Sequence, residues 1–427
     1  MPPIADHPLR YDLVNELHAR PFPVLSAPST AVFLAVKRES DAAGRDPAAD
    51  IAHLTALLDR HGAPHPQPGA THYFGQIGRH HLKWEQHTEM VTYTVFTEGL
   101  SDRAFDPADF DVLPEDWLEA APGARMTSAL IRIAPWESDD VVRDMLHTCF
   151  VPESVAVARV LDDAAIMAGD FRIDTAGHIR FALFVKPQTG PRRIGRIVQR
   201  MCEIESYKTM SMLGFAKARG LSPEMRGIDE RLGALIGGLS GDGGRPAEEA
   251  LHSLLAVSSE LEAMVARSSF RMTATMAYET IVDERIRLLR EERFEGRQTF
   301  AEFMTRRFQP AMRTVRATKA RMEAMAERAS RAGDLLRTRV DVERSAQNQA
   351  LLESMNQRAD LQLRLQKTVE GLSVVAISYY AVSLAGYLLY PLAGALGISK
   401  GMLLAGVTLP VVLLVWWMVN NIRKRLH

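Results

Sequence analysis

Histidine is the most clustered chemistry-bearing residue type in this chain. Of 13 histidines, seven fall between positions 53 and 87: His53, His61, His65, His72, His80, His81 and His87. Imidazole is the commonest side-chain ligand for divalent transition metals, so such a cluster raises the question of a metal site. The spacing answers against it. No compact metal motif is present, and His61 and His65 flank or occupy a loop rich in Pro and Gly. His80 and His81 are neighbours on an expected strand, where alternation sends them to opposite faces. No metal and no cofactor are expected.

Two further sets could do chemistry. Glu16, His18 and Arg20 alternate along the N-terminal arm. In an extended chain they share a face, an acid, a base and a guanidinium suited to ligand capture or to pinning the arm by ion pairs. Ser383, Tyr387 and Tyr390 stand at i, i+4 and i+7. That spacing places them on one helical face, a transmembrane packing seam or, around an axis of several copies, a pore face. The arginines between positions 285 and 316 are interleaved with Asp283, Glu284, Glu291, Glu292, Glu295 and Glu302. Balanced charge of this kind describes a solvated, salt-bridged helix pair, and nucleic acid is not an expected partner. The Gly-rich loop 237–244 lacks the Lys-Ser/Thr ending of a phosphate-cradling loop. Cys149 and Cys202 form no redox or metal pattern. No catalytic constellation emerges, so the chain reads as a non-enzyme.

The elements that must carry these residues divide at about position 190. The chain has 427 residues and a formal net charge of −1, which removes bulk electrostatic attraction to nucleic acid as an argument. Residues 1–28 read as an extended arm with no basic, apolar leader pattern, so a cleaved signal peptide is not expected. Residues 29–188 read as an α+β cytoplasmic domain with a mostly antiparallel sheet. Strands are expected at 31–36, 71–77, 81–84, 90–97, 127–133, 155–161, 164–173 and 179–185, with helices at 48–60, 114–120 and 139–147. From 190 to 309 the periodicity is helical: one helix to about Gly220, a second over 222–236, and a third from Pro246 towards Glu292.

A stalk helix is expected over 310–370. No proline follows Pro310 until Pro391, and Met322, Met325, Ala329, Ala332 and Leu336, then Leu351 and Met355, approximate a heptad. Unbroken, this helix would reach about 120 Å and run into the bilayer. Its apolar stripe requires a partner, either the third helix or copies of itself. Two charge-free runs close the chain, at 371–396 and 401–422, each matching the roughly 20 residues that cross a bilayer core. Arg358, Arg364 and Lys367 precede the first, and a basic tail at 423–427 follows the second, while the connecting loop has only Lys400. Flanking cations predict a two-helix transmembrane hairpin with both termini in the cytoplasm. Neither run contains an acid, a base or a histidine, so a proton relay has no candidate residue.

Three stretches carry a resemblance. They are His7-Pro-Leu-Arg10 with Asn15-Glu-Leu-His-Ala-Arg-Pro21, Leu82-Lys-Trp-Glu-Gln-His-Thr-Glu89 with Val91-Thr-Tyr-Thr94, and Thr368-Val-Glu-Gly-Leu-Ser-Val-Val-Ala-Ile-Ser-Tyr-Tyr380. Together they resemble a bacterial family of uncharacterised membrane-anchored proteins, a domain of unknown function, along nearly the whole chain. The resemblance implies an inner-membrane, two-span anchor and no activity. A looser architectural likeness is to the CorA magnesium-channel family, which forms pentamers and closes its first span with Gly-Met-Asn. This chain has Gly386-Tyr-Leu-Leu-Tyr-Pro391 there, and its Gly401-Met402 is followed by Leu403, so the selectivity element is missing. The expected function is a membrane-anchored, non-enzymatic protein, homo-oligomeric, with the lipid bilayer and an unidentified cytoplasmic partner. The alternative is a CorA-like oligomeric ion channel or transporter without the selectivity motif.

Overall fold

A computed structural model describes residues 4–11, 13–14, 22–39, 44, 46–238, 246–396 and 399–426, with backbone alone at 392–396 and 423–426. Its residues group into two units, 1–333 and 334–427. The first is a mixed α+β domain followed by long helices. The second contains the two apolar helices.

The sheet of the first unit is built from strands β1 (Ser29–Lys37), β2 (His72–Ile77), β3 (His80–Gln86), β4 (Met90–Glu98), β5 (Ala124–Pro135), β6 (Ala156–Val160), β7 (Ala165–Gly169), β8 (Ile179–Val185) and β9 (Glu292–Arg293). Their order is β2-β3-β4-β1-β5-β8-β7-β6-β9. Every pairing is antiparallel except β5 with β8. The expected mostly antiparallel sheet therefore has one parallel joint. It arises because β6 and β7 form a hairpin beyond β8, which returns β8 to the side of β5.

Alternation explains both layers of the core. Val32, Leu34 and Val36 of β1, Leu82 and Trp84 of β3, and Val91, Tyr93 and Val95 of β4 point to one face. There they meet α1 (Pro47–Arg60), α2 (Glu115–Glu119) and α3 (Asp139–Cys149), through Leu54, Leu57, Trp117, Val142 and Leu146. The opposite face carries Phe33, Lys83, Glu85, Thr92, Thr94 and Thr127, and these too are buried. The long helix α4 (Pro191–Gly238) lies over them with Ile194, Val198, Met201, Cys202 and Glu205.

The region after position 190 departs from expectation in one respect. The two helices expected on either side of Gly220 are a single helix, α4, which runs through Pro223. An interior proline costs about 3 kcal/mol by removing an N–H and crowding a carbonyl. Packing offsets it: Ala218, Leu221, Met225, Ile228 and Leu232 are all buried, and tertiary burial overrides local breakers. Its partner α5 (Ala247–Leu289) runs back along α4. They pack closely at Gly214, where an added Cβ would lie 2.0 Å from Thr275 Oγ1.

Helix α6 (Phe300–Arg307) opens with a capping box between Thr299 and Glu302. Helix α7 (Gln309–Leu396) belongs to the first unit as far as Gly333. There Arg316 reaches Glu279 on α5 at 2.5–2.6 Å, and Arg321 bonds Asp229 on α4 at 2.7 Å. The heptad positions Met322, Met325, Ala329, Ala332 and Leu336 are buried, whereas Leu351 and Met355 are exposed. In the second unit, α7 continues to Leu396 and α8 spans Lys400–Leu426.

One buried ion pair joins the sheet to the helical hairpin. Glu89, in the turn before β4, accepts both Nη1 (3.1 Å) and Nη2 of Arg271 on α5. Tyr278 Oη donates to Glu89 Oε1 at 2.7 Å, and Lys37 Nζ stands 3.9 Å away. Arg271 and Glu89 are 1 % and 2 % exposed. Burial, and then the hydrogen bond to the carboxylate, push the Tyr278 phenol pKa up. Removing one partner strands the other charge away from water, which costs about 3–5 kcal/mol. Arg271→Met should therefore lower unfolding stability by that amount in urea titrations. The double change Glu89→Leu with Arg271→Met should recover most of it.

Candidate functional site

Polar, charged and aromatic side chains converge where the second face of the sheet meets α4 and α5. Alternation on β3 puts Lys83 and Glu85 on that face, and His87 continues the series into the turn before β4. Helical spacing puts Gln199, Glu203 and Tyr207 in one row of α4. Arg285 and Leu288 come from the C-terminal end of α5. Phe22 and Pro23 approach from the arm.

A chain of charge-assisted bonds ties the wall together. Lys83 Nζ donates to Gln199 Oε1 at 2.7 Å and lies 3.0 Å from Glu85 Oε1. Gln199 Nε2 donates to Glu203 Oε1 at 2.8 Å, and Arg285 Nε donates to Glu203 Oε2. On the aromatic side, His87 Nε2 is 3.2 Å from Thr92 Oγ1, and its Nδ1 is 3.3 Å from Tyr207 Oη. The Tyr207 ring stands edge-on to His87 and tilted against Tyr278. The network thus reaches the Glu89–Arg271 pair.

Beside it opens a cleft of about 290 Å³. Arg200 stands on its wall, half-buried, and donates Nη1 to the Leu288 carbonyl at 2.9 Å. Burial, then the nearby Arg196 guanidinium, hold the Arg200 pKa below the usual range, and Arg285 and Arg290 add to this. Cys202 faces the narrow inner end, and burial drives its thiol pKa well up, so it is not a nucleophile there.

The histidines of the expected cluster are dispersed. His53 is buried, its Nδ1 2.8 Å from Tyr93 Oη and its Nε2 2.9 Å from the Trp117 carbonyl, with its ring stacked on Trp117. Burial depresses its pKa, which keeps it neutral as a core residue. His65 lies 2.6 Å from Asp59, His80 lies 2.7 Å from Thr97 Oγ1, and His81 stacks on Phe74. His87 alone of the seven lines the cleft described above. Glu16, His18 and Arg20 lie outside the described residues. Ser383, Tyr387 and Tyr390 share a cleft of the second unit with Gly386 on α7 and with Lys400, Leu403 and Leu404 on α8. The Lys400 ammonium sits 5.5 Å from the centre of the Tyr390 ring.

Sequence reasoning missed the wall residues Lys83, Glu85, Gln199, Arg200 and Glu203. The available signal was the alternation Leu82-Lys83-Trp84-Glu85, which sets charge and core on opposite faces. A polar strand face ordinarily meets water, and here α4 covers it.

The family model for a protein of unknown function (DUF3422) matches residues 5–426. The chain belongs to this family. No curated protein matches it. Membership in DUF3422 assigns no activity, so the geometry has to carry the functional argument.

The arm crosses α4 at Gly195, where an added Cβ would meet the Pro23 carbonyl oxygen at 1.7 Å. Leu25 N donates to the Pro191 carbonyl at 3.2 Å beside it. Gly195→Ala should therefore lift the arm from α4 and uncover Cys202, which is 7 % exposed. In a Cys149→Ser background, maleimide labelling of Cys202 followed by intact mass should accelerate at least about tenfold, since a buried thiol is inert until it is exposed.

Proposed function

We propose that this DUF3422 protein is a membrane-anchored, non-enzymatic protein. Its α+β domain lies in the cytoplasm and is coupled through the stalk part of α7 to a transmembrane hairpin formed by the end of α7 and by α8. One observation carries the reading. Both helices contain stretches long and apolar enough to cross a membrane, and only 6 % of each stretch is buried by the rest of the chain. A helical pair in a soluble core would be mostly covered. Here Leu384, Tyr387, Leu388, Trp416 and Trp417 are each more than half exposed, and water is a poor solvent for such a surface. A bilayer core satisfies it, and helices keep their backbone hydrogen bonds inside lipid.

Orientation follows from the cations that flank the spans, placing both termini in the cytoplasm of a bacterial inner membrane. The exposed stalk supports self-association: every residue from 344 to 369 is exposed, including Leu351, Met355, Leu361, Leu365 and Val369. A homo-oligomer would cover the apolar side chains of this stripe. The wall residues of the cytoplasmic cleft present no nucleophile beside a free base, which supports binding over catalysis.

Deleting residues 371–427 should move the protein from the alkali-washed membrane fraction to the soluble fraction. Recovery of the full chain as soluble protein would overturn the anchor. Reporter fusions after His427 should be active on the cytoplasmic side, and a fusion in the loop before Lys400 on the opposite side. Mass photometry in mild detergent should give a multiple of the 47.5 kDa chain. Magnesium flux into proteoliposomes that Tyr387→Phe abolishes would instead establish the channel reading.

A further inference from the structure

Around the cleft, Lys83, Arg200 and Arg285 face two carboxylates, Glu85 and Glu203. A guanidinium has five N–H donors, and among the described residues Arg200 uses one, towards the Leu288 carbonyl. Arg196, Arg285 and Arg290 lie near enough to oppose its charge, and among the described residues Glu203 offsets them in part. Glu203 is itself engaged by Gln199 and Arg285. Glu85 is held by Lys83 at 3.0 Å, and Arg290 turns towards Asp162 at 2.7 Å. An anion at this half-buried cation would meet its spare donors and offset its like-charged neighbours.

The other walls define the rest of the ligand. Phe22 and Leu288 are apolar, and Tyr207 offers a ring face and a hydroxyl. The volume, about 290 Å³, lies at the small end of ligand sites, which span about 300–1,000 Å³. We propose that this cleft binds a small organic oxyanion, a carboxylate or a phosphate monoester on an apolar or aromatic body, with Arg200 as its principal donor. Arginine suits the task because its planar fork presents paired N–H groups to two oxygens at once. The phosphate of a soluble metabolite and that of a lipid headgroup share this chemistry. The confined volume and the Phe22 and Leu288 walls select the soluble source. The cleft lies wholly within the first unit, so its chemistry does not depend on whether the apolar helices enter a bilayer.

The test uses the full chain in detergent, with phenyl phosphate, benzoate and inorganic phosphate as probes and sodium chloride at matched ionic strength as control. Calorimetric titration should show saturable binding of phenyl phosphate, tighter than inorganic phosphate. Arg200→Gln should weaken it at least tenfold, and Arg200→Lys should fall between. Glu203→Gln, which removes the opposing carboxylate, should tighten it severalfold, and this opposite sign separates the site from general loss of structure. Far-ultraviolet circular dichroism checks that each variant folds. If Arg200→Gln does not fold, the Glu203→Gln result decides alone. Equal affinity in wild type and Arg200→Gln, no tightening in Glu203→Gln, or a response that sodium chloride reproduces would each overturn the proposal. Binding only to vesicles containing phosphatidic acid, with no response to phenyl phosphate, would overturn the soluble ligand.

Discussion

The Glu89–Arg271 pair is the constraint on which the first unit turns. A carboxylate and a guanidinium, both almost wholly removed from water, must stay together, because either alone would face a large desolvation penalty. Glu89 ends the turn between two central strands, and Arg271 is midway along α5. Their bond therefore sets where the helical hairpin lies against the sheet. Tyr278 completes the carboxylate's hydrogen bonding, and through the Tyr207 ring the same position is tied to the wall of the cleft.

That register explains the composition of the sheet's second face. The first face is an ordinary apolar core against three short helices. The second is covered by a helix whose buried side includes Glu205, Ser206 and Ser211. Glu205, Ser206 and Ser211 survive burial because each finds a partner. Glu205 accepts from Thr127, Thr209 and Lys208 at 2.7–3.0 Å, and Ser211 donates to the Tyr207 carbonyl. A polar layer under a long helix is costly in desolvation, but directional bonds specify one register where apolar contact would tolerate several. The cleft is where this layer reaches the surface, and Lys83, Arg200 and Arg285 gather there.

In the second unit the governing fact is surface without cover. Side chains such as Tyr379, Trp416 and Trp417 are exposed, and hydroxyls of Ser373, Ser383 and Thr408 fold back onto carbonyls of their own helices. Apolar groups facing outward reverse the pattern of the first unit, whose apolar groups face the core. That reversal is what a hydrocarbon solvent demands.

Much of this was legible in the residues themselves. Partial alternation and bounding turn residues located β4, β5 and β8 to within a few residues, and the absence of charge located the two apolar helices. Met322, Met325, Ala329, Ala332 and Leu336 were readable as a buried stripe from spacing alone. Local rules failed where distant partners decide: Pro223 should end a helix, yet burial on both sides carries α4 through it. The histidine cluster was a sequence neighbourhood rather than a spatial one, because strands and loops separate its members. The cleft was invisible for the complementary reason. Lys83, Gln199, Arg200, Glu203 and Arg285 are up to 202 positions apart, and no local pattern joins them. The sequence by itself determined periodicity, apolar length and charge flanks, since these depend only on neighbours along the chain. The tertiary structure decided which polar face was covered and which cations were gathered at one cleft, because burial and electrostatics depend on distance in space.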